Sequence, residues 1–78
     1  MDDNKKVITY LYRNNPIECS LVVVADTADT IYTDIVNARI RNDDALNIII
    51  PGCGSIFITP KEILNVSILP QERFGHGN

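Results

Sequence analysis

Leu46-Asn-Ile-Ile-Ile50, Pro51-Gly-Cys-Gly54, Ser55-Ile-Phe-Ile58, Thr59-Pro-Lys-Glu62 and Ile63-Leu-Asn-Val-Ser-Ile-Leu69 read in succession as strand, turn, strand, one helical turn and strand. Pro51-Gly52 fits the two central positions of a type II turn, where proline presets φ and glycine supplies the positive φ. The flanking strands should therefore fold back on each other. Thr59-Pro-Lys-Glu62 has the capping-box spacing, with Thr59 as N-cap, Pro60 at the first helical position and Glu62 three residues after the cap. That helix is confined to one turn over 59–62, because Leu64, Val66 and Ile68 resume period-two alternation at once.

Upstream, Lys6 to Tyr12 is rich in β-branched and aromatic residues and predicts a strand with two distinct faces, Val7, Thr9 and Leu11 against Ile8, Tyr10 and Tyr12. Arg13-Asn-Asn-Pro16 collects turn residues, and Pro16 biases Asn15 towards an extended conformation, so a hairpin leads into the next strand. Ile17 to Ala25 places Ile17, Cys19, Leu21 and Val23 on one face. Leu21-Val-Val-Val24 is nevertheless a continuous apolar run, which implies burial on both faces or a partner on the outer one. Asp26-Thr-Ala-Asp-Thr30 reads as a polar connection. The stretch 30–41 has two readings. Ile31, Ile35 and Ala38 fall at helical spacing, with Thr27 or Asp29 as N-cap. Tyr32, Val36, Ala38 and Ile40 instead share a period-two face, and the Ile, Val and Thr content favours the strand, because β-branched residues lose rotamer freedom in a helix. Arg41-Asn-Asp-Asp-Ala45 then turns into Leu46–Ile50. Pro70 ends the last strand, and residues 71–78 read as a flexible tail behind a single domain spanning 1–70.

The order strand Ser55–Ile58, Thr59-Pro-Lys-Glu62, strand Leu64–Ile68 resembles that of the small SH3-like and Sm-like β-barrels, in which a short 3₁₀ turn joins the fourth strand to the fifth. The resemblance spans roughly residues 6 to 69 as a pattern of elements. It implies an all-β fold, a small five-stranded barrel with a one-turn helix at 59–62; the alternative is α+β with a helix at about 29–41. The Arg-Gly or Lys-Gly pair of Sm-like proteins is missing, and so is the groove Trp of SH3 domains, the chain having no Trp. Neither family's ligand nor its site residues carry over, and the likeness is one of fold alone.

At 78 residues the chain makes one domain with a marginal core, for which partners or self-association would help. Apolar and charged fractions of 45% and 22% are ordinary for a globular protein. No window approaches a membrane helix and Met1-Asp2-Asp3 lacks the basic start of a secretory signal, so a cytoplasmic location is expected. Two cysteines, Cys19 and Cys53, and one histidine, His76, build no disulfide framework and no four-ligand zinc site. The formal charge of -3, from ten acidic and seven basic residues, disfavours nonspecific nucleic-acid binding.

The reactive inventory is thin. His76 is far from any element that would position it, and Cys53 stands between two glycines on a turn, accessible but without a base. Cys19 shares the alternating face of Leu21 and Val23 and reads as core. Pro51-Gly-Cys-Gly54 lacks the Lys and Ser/Thr of a phosphate loop. The acidic groups Asp26/Asp29/Asp34 and Asp43/Asp44 lack the spacing of a calcium loop and read as solvated loops. No catalytic residue, cofactor or metal is expected. The sequence points instead to a non-enzymatic interaction module that binds a protein partner or copies of itself, as a homo-oligomer, with Val22 and Val24 as the candidate interface. The alternative is a nucleic-acid-binding barrel, in which Tyr10 and Tyr12 would stack bases beside Arg39 and Arg41.

Overall fold

The computed structural model describes residues 4–14 and 17–71. Met1-Asp2-Asp3, the Asn15-Pro16 pair and residues 72–78, including His76 and most of the expected tail, lie outside the described residues. The elements run β1 (Lys5–Tyr12), β2 (Glu18–Val24), α1 (Ala25–Arg41), β3 (Leu46–Ile50), β4 (Gly54–Ile58), a 3₁₀ turn (Pro60–Glu62) and β5 (Ile63–Pro70). The strands form two antiparallel sheets, one of three in the order β2-β1-β5 and one of two, β3-β4.

The stretch 30–41, expected as a strand, belongs to a helix that begins already at Ala25. Its buried residues Ala28, Ile31, Ile35 and Ala38 form one helical stripe, and Tyr32 and Val36 flank it against the core. Burial of that stripe outweighs the modest rotamer cost of the β-branched residues, which is why propensity misleads here. Asp26 to Thr30 is therefore the first turn and a half of the helix and not a connection. Thr27 and Asp29 are not N-caps: Val24 occupies that position without a side-chain cap, and the Ala25 N–H is satisfied by the Asn4 carbonyl at 3.0 Å. At the other end Asn42 adopts the left-handed conformation (φ 63°), and the Asn42 and Asp43 N–H groups bond the carbonyls of Arg39 and Ala38. This is a Schellman-type stop with asparagine where glycine is commoner.

A helix at 25–41 removes the strand that would have carried a meander from β2 into β3. The five strands consequently stay divided three and two and close no barrel. Inner-face residues Ile8 and Tyr10 of β1, Val23 of β2 and Val66 of β5 meet Ala28, Ile31 and Ile35 of α1 and Ile48 and Ile58 of the β3-β4 hairpin in one core. Helix and hairpin thus share the job of covering one side of the three-stranded sheet.

The turn over 50–53 forms as its sequence predicts: the Cys53 N–H donates to the Ile50 carbonyl at 2.9 Å and Gly52 has φ +80°. The 3₁₀ turn also forms where expected, with Pro60 at its start, yet without the capping box. The Thr59 side chain makes no capping bond; its backbone N–H instead donates to the Tyr12 hydroxyl at 3.2 Å, and the Glu62 carboxylate accepts from Asn14 Nδ2.

Two stability outcomes follow from the helix. Ile35, fully buried in the stripe, leaves a cavity when cut to alanine, so Ile35→Ala should lower unfolding free energy by about 2–5 kcal/mol in urea denaturation. At the stop, Asn42→Gly should hold or raise stability by up to about 1 kcal/mol, whereas Asn42→Val should lower it by about 1–2 kcal/mol, since only glycine enters the left-handed region without strain.

Candidate interaction surface

Backbone hydrogen bonds set the phase of the three-stranded sheet. The Ala25 N–H bonds the Asn4 carbonyl and the Gln71 N–H bonds the Lys5 carbonyl. Antiparallel alternation then directs the even residues of β1 towards β2 and the odd ones towards β5. Side chains alternate in the same step, so Lys5, Val7, Thr9 and Leu11 share the outer face with Val24, Val22, Ser20 and Glu18 opposite them on β2, and with Leu69, Ser67 and Asn65 on β5.

That outer face is divided. Its middle is hydroxylic, Thr9 lying opposite both Ser20 and Ser67, with the Thr9 and Ser20 hydroxyl oxygens 3.5 Å apart. The end near Lys5 is apolar: Val7 is only 2% exposed, and around it Val22 (48%), Val24 (55%) and Leu69 (46%) remain open to solvent. The hairpin tip extends this end. Ile50, Pro51 and Cys53 line a groove of about 240 Å³ together with Lys5, Thr27 and the strand Val22–Val24. Cys53 is a free, exposed thiol at its edge, while Cys19 is half-buried against the core.

Val22 and Val24, the residues singled out by the Leu21–Val24 run, lie on this surface. Val7 and Leu69 complete it and were not recognisable beforehand, because each sits in a strand whose other face is also apolar. A second apolar pair, Ile49 and Phe57, is exposed on the outer side of the hairpin. Alternation within Leu46–Ile50 carries the signal for Ile49, since a hairpin with one face in the core must turn it out.

The four residues of the alternative face are not brought together on the surface. Tyr10 and Tyr12 lie on the inner side of β1 as an edge-to-face pair, ring centroids 5.7 Å apart. Tyr10 is only 7% exposed, and the Tyr12 hydroxyl accepts the Thr59 N–H. Arg39 donates to the Leu64 carbonyl at 3.2 Å, and Arg41 makes two bonds to one Asp43 carboxylate oxygen at 3.2 and 2.9 Å. Bases need open aromatic faces to stack on, and buried Tyr10 offers none. Two of the acidic residues also pair with lysines, Asp29 with Lys6 and Asp44 with Lys61, each at 2.9 Å. These exposed pairs contribute little to stability.

Comparison of the chain with protein-family models, with curated protein sequences and with solved structures finds no match. No helix among the described residues is long and apolar enough to cross a membrane.

Burial, with smaller contributions from neighbouring Cys19 and Tyr12, pushes the Tyr10 phenol from 10.0 up to about 12. The folded state therefore holds this proton more tightly than the unfolded chain, and the associated stability is complete below pH 10 and declines as pH rises from 10 through 12. Denaturation at stepped alkaline pH should show that decline, and Tyr10→Phe should flatten it. A surface tyrosine would show no such difference between the two proteins.

Proposed function

We propose that the chain is a non-enzymatic interaction module that binds a protein, another chain or a copy of itself, through the apolar end of the outer sheet face. One observation carries the reading: Val22, Val24 and Leu69 stay half-exposed around Val7 although helix α1 and the hairpin cover the opposite face of the same sheet. Burying the exposed half of three such side chains is worth about 1 kcal/mol each. That suffices to steer association, while leaving affinity dependent on further contacts such as the groove beside Pro51 and Cys53.

The element order from β3 to β5 resembles that of SH3-like and Sm-like proteins as an analogy of fold, and it brings with it no ligand. A nucleic-acid partner is the weaker reading, given buried Tyr10 and a net charge of -3.

Val22→Glu and Val24→Glu test the surface. Each should fold with an unchanged far-ultraviolet circular dichroism spectrum, because both positions face outwards, and each should weaken association, with itself or with a co-purifying protein, by about tenfold or more as read by native mass spectrometry. Folded variants that associate like the parent would remove the surface from consideration.

A further inference from the structure

The two edges of the three-stranded sheet are treated differently. On β5 the register slips at Leu64, which has no partner residue on β1. The Leu64 carbonyl is occupied by Arg39. Further along, the phase of the ladder turns the backbone of Pro70 outwards, where it presents no N–H at all. A bulge, an arginine reaching in from α1 and a proline are three ways of blunting an edge, and all three act on this strand.

On β2 none of them is found. Its seven residues pair with β1 in unbroken register, and the strand contains no proline, no lysine and no arginine. The same phase that directs Cys19, Leu21 and Val23 towards β1 turns the backbone groups of Glu18, Ser20, Val22 and Val24 to the free edge. Such an edge is a template for another strand.

We infer that two copies of this chain pair antiparallel through their β2 edges, two-fold about Leu21, joining two three-stranded sheets into one of six. This rests on the interaction-module reading and names its partner. In that register Ser20 lies opposite Val22 of the second copy and Glu18 opposite its Val24, so outward N–H groups meet outward carbonyls across the axis. Side-chain faces stay in phase, Leu21 meeting Leu21 and Cys19 meeting Val23 on the inner side, as an isologous contact demands.

Charge selects a second copy as the occupant. Glu18 is the single charged residue of β2 and lies at its far end, so the two glutamates end up at opposite ends of the seam. Each is then in the same outer-face row as Val24 and Lys5 of the other copy, because Lys5 is directly opposite Val24. Two strand spacings, about 10 Å, separate the backbones in that row, which the two long side chains can span. The seam thus sets an acid towards a base at each end and opposes no like charges.

Sedimentation velocity of the full chain across the micromolar range tests this with two variants that separate edge from face. Ser20→Pro removes an outward N–H outside the apolar patch and leaves the β1-β2 ladder intact; it should stay folded and weaken the dimer by about tenfold or more. Leu69→Glu, in the outer face on the far strand, lies outside the seam and should weaken the dimer less than Ser20→Pro does. A cross-link fixes the register independently of either: with Cys19 and Cys53 replaced by serine, Leu21→Cys should form an oxidised dimer and Glu18→Cys should not. A parent that stays monomeric, or a Leu21→Cys protein that does not cross-link as a dimer, overturns the pairing. A dimer lost with Leu69→Glu and kept with Ser20→Pro also overturns it, and leaves the outer face standing as an interaction surface.

Discussion

The contact on which the rest of the structure depends is the packing of one helical stripe, Ala28, Ile31, Ile35 and Ala38, on the inner face of a three-stranded sheet. A sheet this narrow cannot bury its own apolar face, and a five-stranded barrel would need a strand where the chain has a helix. Because α1 starts at the residue after β2, with no linker, it must cross the inner face at once. The hairpin that follows is thereby kept from hydrogen bonding to the larger sheet and joins the core through side chains alone, Leu46, Ile48 and Ile50 on one strand and Ile56 and Ile58 on the other.

Polar ties gather at one end of this arrangement. There the Tyr12 hydroxyl receives the Thr59 N–H, the Arg13 N–H reaches the Glu62 carbonyl, Asn14 holds the Glu62 carboxylate and the Lys61 N–H bonds the Asp43 carbonyl. Each bond is worth only about 1 kcal/mol net, yet together they fix where the hairpin leaves the sheet and where β5 begins. The opposite end, around Lys5, Val24 and the tip at Pro51, is apolar, and among the described residues its one ion pair is that of Lys6 with Asp29. Specific geometry is concentrated at the first end and unspent apolar surface at the second.

Local chemistry was the legible part of the sequence. Pro51-Gly52 dictated its turn, Pro60 its 3₁₀ start, and the alternation of Lys6–Tyr12 and Leu64–Ile68 their strands, because in each case the decisive constraint lies within four or five residues. The stretch 25–41 was not legible to the same degree. Its Ile, Val and Thr residues speak locally for a strand, and only a partner surface, assembled from three strands remote in sequence, makes the helical stripe the better solution. The capping box failed for a similar reason: Glu62 and Thr59 found tertiary partners in Asn14 and Tyr12. On the surface, the Leu21–Val24 run pointed to Val22 and Val24, which are exposed, whereas Tyr10 is buried on the inner face, since an aromatic on a two-faced strand does not reveal which face the helix will cover.

The difference between the two sheet edges follows from the same helix. Growing out of β2 and running across the sheet, α1 brings its last turn to β5, and so Arg39 is in reach of the Leu64 carbonyl. Its first turn is covalently tied to the end of β2 and cannot fold back along that strand. Protection of one edge and exposure of the other are therefore two consequences of one chain path. The Leu21–Val24 run is where they meet: its inner residues Leu21 and Val23 serve the core, its outer residues Val22 and Val24 remain accessible, and the backbone of those outer residues faces the open edge. A run buried on one side and exposed on the other accounts for the apolar continuity of the sequence, and the fold places its exposed half on a single edge strand.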